Sequence, residues 1–237
     1  MTICIAAMAE NGKKIVVAVD RMITANFPIS YEFETDDVPK IYRLGGNAVA
    51  MSAGNALNAH EVIEKANNQI KNQQISKIEQ ILEVLRRSYQ DYRRRLVIER
   101  TLEPRGLTLD NYYTMQQKLV PAVVQEIESQ LTNFSLQVEL IVSGCRDEEE
   151  CHLYTITHPG INLLHDAIGY VSIGSGAPHA MYYLIASDYK KSLPVEEVKK
   201  IVLAAKKKSE VAPGVGKQTE LLTIPLTEEE HGDKPIK

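Results

Sequence analysis

Two short apolar runs near the start of the chain enclose an Asn-Gly pair, and this feature constrains the fold more than any other. The runs cover residues 3–8 and 15–19, and the pair is Asn11-Gly12. Asn-Gly between strand-like runs favours a type I′ turn, because both central positions of that turn need positive φ. The chain is therefore expected to open with a β-hairpin, which fixes Thr2 at the mouth of a sheet.

Thr2 directly follows the initiator methionine. Methionine before a small residue is normally trimmed, so Thr2 is expected to become the N-terminal residue. A free N-terminal threonine holds a hydroxyl nucleophile together with its own base, since an α-amine has a pKa of about 8. On the dipeptide alone, Met-Thr is more simply the way the gene begins. The hypothesis of a nucleophile therefore depends on the rest of the sequence.

Composition and charge exclude several classes of protein. The 237 residues are 44% hydrophobic and 24% charged, as in an ordinary soluble globular protein. The net charge of −4 gives no indication of nucleic-acid binding, and no apolar run approaches the roughly 20 residues of a membrane span. Cys4, Cys145 and Cys151 are odd in number and form no Cys-x-x-Cys pair, so we interpret them as reduced thiols of a cytoplasmic protein.

The order of the predicted elements indicates the fold class. After the first hairpin, residues 31–39 are interpreted as irregular and acidic, and strands at 40–44 and 48–53 form a second hairpin. A helical region spans about 56–135, with Ser76 and Glu79 as a capping box, a break at 103–106 and a second break or restart at Pro121. Further predicted strands are 136–145, 151–157, 169–173 and 219–224, and the last two helices are 178–188 and 194–208.

Grouped helices and long hairpins predict an antiparallel α+β fold with sheets in the middle and helices outside. We expect a single domain over residues 1–225, with an enlarged helical segment at about 56–135. The polar residues 226–237 are expected to form a C-terminal tail.

Five motifs resemble, in order and in spacing, those of the proteasome-type family of N-terminal nucleophile hydrolases. They are Thr2, Ala18-Val19-Asp20-Arg21, Lys40-Ile41, Ser52-Ala53-Gly54 and Gly174-Ser175-Gly176. The resemblance covers nearly the whole chain apart from the helical middle, and it implies a four-layer αββα sandwich of antiparallel sheets. With one residue before Thr2, the chain is most similar to the simpler bacterial and archaeal β-type subunits, such as the HslV-type and Anbu-type.

The resemblance implies a role for each of five residues. Thr2 Oγ would attack a carbonyl and form an acyl-enzyme ester, and Lys40 would lower the pKa of the hydroxyl and of the amine. Asp20 would hold Lys40, the backbone N–H of Gly54 would donate to the oxyanion, and Ser175 would help to position the proton of the amine. Taken singly, each has a plainer interpretation, as an ion-pair partner, a solvated lysine, a turn glycine or a loop serine.

The sequence departs from the family in two places. The family carries an Asp and, three residues later, a Ser after its last long helix, whereas this chain has Ser209 and Ala212 there, with Glu210 as a substitute one position away. The helical middle is also longer, by about residues 94–117. Its arginines predict either a solvated face or a contact surface for a neighbouring subunit or an acidic partner; they are Arg86, Arg87, Arg93, Arg94, Arg95, Arg100 and Arg105.

Three functional hypotheses follow. The first is a threonine-type peptidase or amidohydrolase acting through Thr2, and the second is a peptide ligase or transpeptidase that uses the same acyl-enzyme. The third is a non-catalytic proteasome-like assembly subunit. The resemblance implies self-association into a ring, double ring or spiral, a peptide or protein substrate, and a separate ATP-dependent unfoldase.

Other chemistries find no support in the sequence. The histidines show no metal-ligand spacing; they are His60, His152, His158, His165, His179 and His231. The chain has no phosphate-binding loop and no Gly-x-Ser-x-Gly nucleophile elbow. We therefore expect no cofactor, no metal, no nucleic-acid partner and no membrane association.

Overall fold

A computed structural model describes residues 2–26, 30–35, 37–146 and 150–226 of the chain. Its strands are β1 Cys4–Ala9, β2 Lys14–Asp20, β3 Met22–Asn26, β4 Ser30–Glu34, β5 Ile41–Arg43, β6 Asn47–Gly54, β7 Val138–Cys145, β8 Cys151–Thr157, β9 Ile161–Leu164, β10 Tyr170–Ile173 and β11 Thr219–Ile224. Its α-helices are α1 Ala56–Gln73, α2 Ile78–Thr101, α3 Leu109–Met115, α4 Pro121–Asn133, α5 Ala177–Ala186 and α6 Val195–Ser209.

The strands form antiparallel sheets, and the predicted α+β class is confirmed. One sheet has the order β10-β1-β2-β11, and another has the order β5-β6-β7-β8-β9. Every pairing in both sheets is antiparallel. Strand β1 is therefore a central strand, and the residues that precede it emerge between β10 and β2.

The opening hairpin is confirmed, but the prediction of a type I′ turn is wrong. Ala9 pairs with Lys14, which leaves four residues in the connection instead of two. Three of them have positive φ, and they are Glu10, Asn11 and Gly12. The Asn-Gly pair thus supplies left-handed backbone, as predicted, within a longer turn of 3₁₀ type.

Three apolar clusters lie on the faces of the two larger sheets. One cluster joins Ala6 and Val17 of the first sheet to Met51 and Ile141 of the second, so these sheets share a core. A second joins the five-stranded sheet to α1 and α2, through residues such as Ala50, Ile63 and Leu85. A third joins β1 and β2 to α5 and α6. Each sheet therefore buries both of its faces.

Two local predictions are wrong. Part of the acidic stretch at 31–39 is not irregular, because Ser30–Glu34 pairs with Met22–Asn26 in a two-stranded sheet. Ser76 is not an N-cap, since α2 begins two residues later, after Lys77, and has no side-chain cap. The carboxylate of Glu79 instead accepts hydrogen bonds from Arg146, at the end of the neighbouring hairpin.

The interpretation of all three cysteines as reduced thiols is also wrong. Cys145 and Cys151 face each other in the β7–β8 ladder and form a disulfide. They are six positions apart in the sequence, and the antiparallel register brings their Cα atoms to 3.8 Å. Cys4 is a free, buried thiol.

Most arginines of the helical middle bind partners within the chain. Arg86 and Arg87 pair with Glu83, and Arg105 pairs with Glu126 at 2.8 Å. Arg93 donates to the carbonyl oxygens of residues 131, 132 and 134, which ties α2 to the end of α4. Arg93 and Arg105 therefore join α4 to the α2 region, whereas Arg86 and Arg87 pair within α2. Residues 227–237, most of the predicted tail, lie outside the described residues, and no helix among the described ones is long and apolar enough to cross a bilayer.

Candidate active site

Thr2, Asp20 and Lys40 meet at one point. The Lys40 ammonium donates a hydrogen bond to Thr2 Oγ1, and Thr2 Oγ1 donates to Asp20 Oδ1. Lys40 Nζ also lies 2.7 Å from Asp20 Oδ1. All three residues are buried, with Thr2 only 3% exposed. A hydroxyl is thus held between a cation and a carboxylate, away from bulk water.

The strands explain how residues far apart in the sequence converge. Asp20 is the last residue of β2, and its Oδ1 accepts a 3.1 Å hydrogen bond from the backbone N–H of Ile3. Lys40 directly precedes β5, and its carbonyl oxygen accepts a hydrogen bond from the N–H of Ser52 on β6. The two larger sheets therefore each supply part of the site where they share a core.

Gly54 ends β6 beside Thr2 and has φ of +100°. A Cβ at this position would overlap the carbonyl oxygen of Gln137, so both the backbone conformation and the space require glycine. Gly54 and Thr2 together line a cavity of about 480 Å³. The remaining lining residues are Ala53, Ser135, Gln137, Val138, Glu139, Thr157, His158, Gly174 and Ser175.

The loop after β10 encloses the main chain of Thr2. Ser175 Oγ lies 3.3 Å from the Thr2 nitrogen, which donates to it, and Gly176 N–H donates to the Thr2 carbonyl oxygen at 3.2 Å. Ser175 Oγ also lies 3.2 Å from the carbonyl oxygen of Pro213. The structure thus brings together Thr2, Asp20, Lys40, Gly54 and Ser175, the five residues that the motifs indicated.

The segment that departs from the family does not bring side-chain oxygens to Thr2. Ser209 is fully buried and donates to the carbonyl oxygen of Ala205 within α6. Ala212 packs in the apolar cluster beneath α5 and α6. Glu210 binds Lys206 and Lys207, so none of the three residues brings a carboxylate or hydroxyl group to Thr2.

The same segment contributes a backbone group instead. Gly216 N–H donates a 2.7 Å hydrogen bond to Asp20 Oδ2. With Thr2, Ile3 and Lys40 on Oδ1, the Asp20 carboxylate has four donors, about as many as its lone pairs accept. The loop at 213–217 therefore fixes the carboxylate that contacts Thr2.

Lys206 holds this loop in place from α6. Its ammonium, in a residue only 1% exposed, donates 2.8 Å hydrogen bonds to Glu210 Oε1 and to the carbonyl oxygens of Gly216 and Lys217. Sequence reasoning missed this role, since Lys206 begins a lysine run that complements a helix dipole equally well. Its i,i+4 spacing from Glu210 was the available signal.

Cys4 lies near the site but is unsuited to nucleophilic chemistry. Burial raises the pKa of its thiol to about 12, although the nearby Lys40 ammonium opposes this shift. Its Sγ donates to the carbonyl oxygen of Ser52. Among the described residues, no group of three or more His, Cys, Asp or Glu side chains is arranged to hold a metal ion.

Comparison with known proteins adds no assignment. No protein-family model matches the chain, and no curated protein matches it significantly.

Proposed function

We propose that this protein is an N-terminal threonine hydrolase of the proteasome-like type, a peptidase that acts through an acyl-enzyme on Thr2 once Met1 has been removed. One observation carries the proposal: the Lys40 ammonium and the Asp20 carboxylate both contact Thr2 Oγ1 at the wall of a cavity large enough for a peptide segment. A structural threonine needs neither a buried cation nor a cavity.

The reaction follows from the contacts. Thr2 Oγ forms a bond to the substrate carbonyl carbon, and its proton passes to the Thr2 amine freed by loss of Met1. The Lys40 ammonium stabilises the developing alkoxide, because it donates directly to Oγ1. Ser175 Oγ lies beside the Thr2 nitrogen and orients it. The proton then moves to the departing amine as the amide C–N bond breaks.

Gly54 is proposed to stabilise the tetrahedral intermediate. Its backbone borders the cavity next to Thr2, and its lack of a side chain lets a substrate carbonyl approach the N–H. The ester is resolved by water in a peptidase and by an amine in a ligase. The two enzymes share every residue named here, so the acyl acceptor decides between them.

The layers of the fold support the same proposal. Helices α1 and α2, the five-stranded sheet, the four-stranded sheet and helices α5 and α6 are joined in that order by the three apolar clusters. This order supports the proposal of an αββα sandwich. We further propose self-association into a ring, double ring or spiral, and a separate unfoldase partner. Cytoplasmic location stays a prediction, but the disulfide removes the reduced cysteines on which it was based.

One observation favours the alternative of a non-catalytic subunit. Among the described residues, the side chain that contacts the Thr2 nitrogen is that of Ser175. Ser209 instead donates to a carbonyl oxygen within α6, and Ala212 packs in an apolar cluster. An amine with fewer fixed partners is a poorer base. The catalytic and non-catalytic proposals therefore differ in whether Thr2 can be acylated.

The test is intact-protein mass spectrometry with a small β-lactone. We expect loss of Met1, a single adduct on the native protein, and no adduct on Thr2→Ala. Thr114→Ala, an exposed threonine on α3, is the matched control and should react as the native protein does. Adding an amine such as glycinamide to the acylated protein separates the outcomes, because a peptidase releases acid and a ligase releases amide. A trimmed protein without an adduct would favour the non-catalytic subunit.

A further inference from the structure

We propose that Glu34 is a further positioning residue of the site. From strand β4, its carboxylate holds the backbone segment 216–218, and the same segment holds Asp20 against Thr2. The inference rests on the proposed function, because it adds a residue that acts on the same nucleophile through Asp20. Three hydrogen bonds, one close backbone contact and a shared link to Lys206 carry it.

Three consecutive backbone N–H groups are divided between two carboxylates. The N–H of Gly216 donates to Asp20 Oδ2 at 2.7 Å. The N–H groups of Lys217 and Gln218 both donate to Glu34 Oε1, at 2.6 Å and 3.0 Å. Hydrogen bonds to an ionised acceptor are roughly twice as strong as those between neutral groups. Loss of the Glu34 carboxylate therefore frees the chain directly beside the N–H that Asp20 accepts.

The register of the strands explains why the two carboxylates are neighbours. Asp20 ends β2 and pairs with Thr219, the first residue of β11. Strand β3 follows β2 after one residue, and its first residue, Met22, pairs with Glu34 at the end of β4. The segment 216–218 leads into β11, so it passes the residues that follow Asp20 and meets the Glu34 side chain.

Gly216 packs directly against the paired residues Met22 and Glu34. A Cβ added to Gly216 would overlap Glu34 Oε1 and lie 3.0 Å from Met22 Cβ. The backbone comes this close to β4 because residue 216 has no side chain. A displacement of β4 is therefore expected to move Gly216, and with it the N–H that Asp20 accepts.

Lys206 holds the same peptide units from their other end. Its ammonium donates to the carbonyl oxygens of Gly216 and Lys217. The N–H groups of these two peptide units belong to Lys217 and Gln218, and they are the ones that Glu34 accepts. Each peptide unit thus bridges a cation and a carboxylate, and hydrogen bonds in such a chain polarise and strengthen one another. Glu34 and Lys206 are therefore expected to reinforce each other's hold on the segment.

The plainer interpretation is that Glu34 only fastens the two-stranded sheet to the rest of the protein. That role predicts a loss of stability and no change in the chemistry of the folded protein. The positioning role predicts slower acylation of fully folded protein, because the segment that Glu34 holds also carries the donor to Asp20. Kinetics of labelling distinguish the two interpretations.

The experiment measures β-lactone labelling of Thr2 as a limiting rate constant, kinact, and a half-saturating probe concentration, KI, in protein shown to be folded by denaturant titration. Glu34→Ala should lower kinact roughly tenfold, because small displacements of catalytic groups are costly. It should leave KI unchanged, since the cavity beside Thr2 is not lined by Glu34. Glu34→Gln keeps an oxygen for both N–H groups and should recover most of kinact. Glu32→Ala removes an exposed carboxylate from the same strand and is the matched control.

Hydrogen exchange of the Gly216 amide separates this inference from the proposed function. The amide keeps its own acceptor, Asp20, in every variant, so its exchange rate reports release of the segment whether or not Thr2 reacts. We expect roughly tenfold faster exchange in Glu34→Ala and the native rate in Glu32→Ala. Faster exchange in Glu34→Ala with no labelling of the native protein would overturn the proposed function and keep the hold of Glu34 on the segment. A labelled native protein whose kinact is unchanged in Glu34→Ala, or falls equally in Glu32→Ala, would overturn the positioning role.

Discussion

The ammonium of Lys206 donates a 2.8 Å hydrogen bond to the carbonyl oxygen of Gly216. The N–H of the same glycine donates to Asp20, whose carboxylate contacts Thr2 Oγ1. A buried lysine on α6 is thereby connected to Thr2 through the backbone of one glycine and one carboxylate. If Thr2 is the nucleophile, as proposed, this connection makes Lys206 a residue that positions Asp20.

We expect Lys206→Met to lower both stability and acylation. Loss of the ammonium leaves the Glu210 carboxylate and two carbonyl oxygens without their shared donor, and breaking such a buried pair costs about 3 kcal/mol of unfolding free energy. A displaced Asp20 should slow labelling of the folded protein roughly 10- to 100-fold. Denaturant titration and the rate of β-lactone labelling measure the two effects.

Lys207→Met is the matched control for Lys206. Lys207 also binds Glu210, but its side chain is 73% exposed, so its removal should change stability by only a few tenths of a kcal/mol. Lys206→Arg should restore part of the stability without restoring the labelling rate, because a planar guanidinium does not fit three converging acceptors. Equal labelling rates in Lys206→Met and Lys207→Met would contradict a positioning role.

Gly174→Ala should abolish labelling of Thr2. Gly174 has φ of +95°, and a Cβ there would overlap the Thr2 carbonyl oxygen and approach Thr2 Cγ2 at 3.1 Å. Gly12 has a similar φ of +87° with nothing within 4 Å of the added Cβ. Both variants should lose about 1 kcal/mol of stability from the left-handed backbone. Labelling that fell equally in Gly12→Ala would show that lost folding, and not a displaced Thr2, was responsible.

Sequence reasoning predicts the elements of this site better than their connections. Apolar runs with turn residues between them place β1, β2, β5 and β6 correctly, and the ends of those strands carry Thr2, Asp20 and Gly54. Thr2 and Asp20 become neighbours because hairpin register follows from local pattern, whereas Gly54 reaches them through the packing of the two larger sheets. The α+β class follows in the same way from the grouping of helices and strands.

Contacts between distant segments could not be predicted in this way. Lys206 has the i,i+4 spacing of a surface pair, and its burial results from the loop at 213–217 folding over α6. Glu139 alternates along β7 like any solvent-facing residue, and this pattern does not reveal that Gly174 N–H donates a hydrogen bond to its carboxylate. The Cys145–Cys151 disulfide depends on register around a turn, which spacing alone did not reveal.

The three cysteines should differ in reactivity. The native, unreduced protein should incorporate no iodoacetamide at pH 8, because Cys145 and Cys151 are bonded and burial raises the pKa of Cys4 to about 12. Unfolding without a reductant should expose Cys4 alone, and unfolding with a reductant should expose all three thiols. Intact mass counts the adducts. Three adducts on the unfolded, unreduced protein would show that the disulfide is absent.

His165 should make stability depend on pH below about 6.5. Burial lowers its pKa below the unfolded value of 6.5, partly opposed by the nearby Asp166 carboxylate. As the pH falls through 6.5, the unfolded chain takes up a proton that the folded chain does not, so stability present above pH 6.5 is lost below it. The loss is at most about 1.4 kcal/mol per pH unit for one histidine. His158, whose pKa burial also lowers, adds to the loss in the same direction.

Urea titrations at pH 7.5, 6.5 and 5.5 measure how the free energy of unfolding changes with pH. His165→Gln, which retains a side-chain partner for Thr155, should reduce it, whereas His60→Gln on the exposed face of α1 should leave it unchanged. An equal slope in the native protein and in His165→Gln would show that this imidazole is protonated alike in both states.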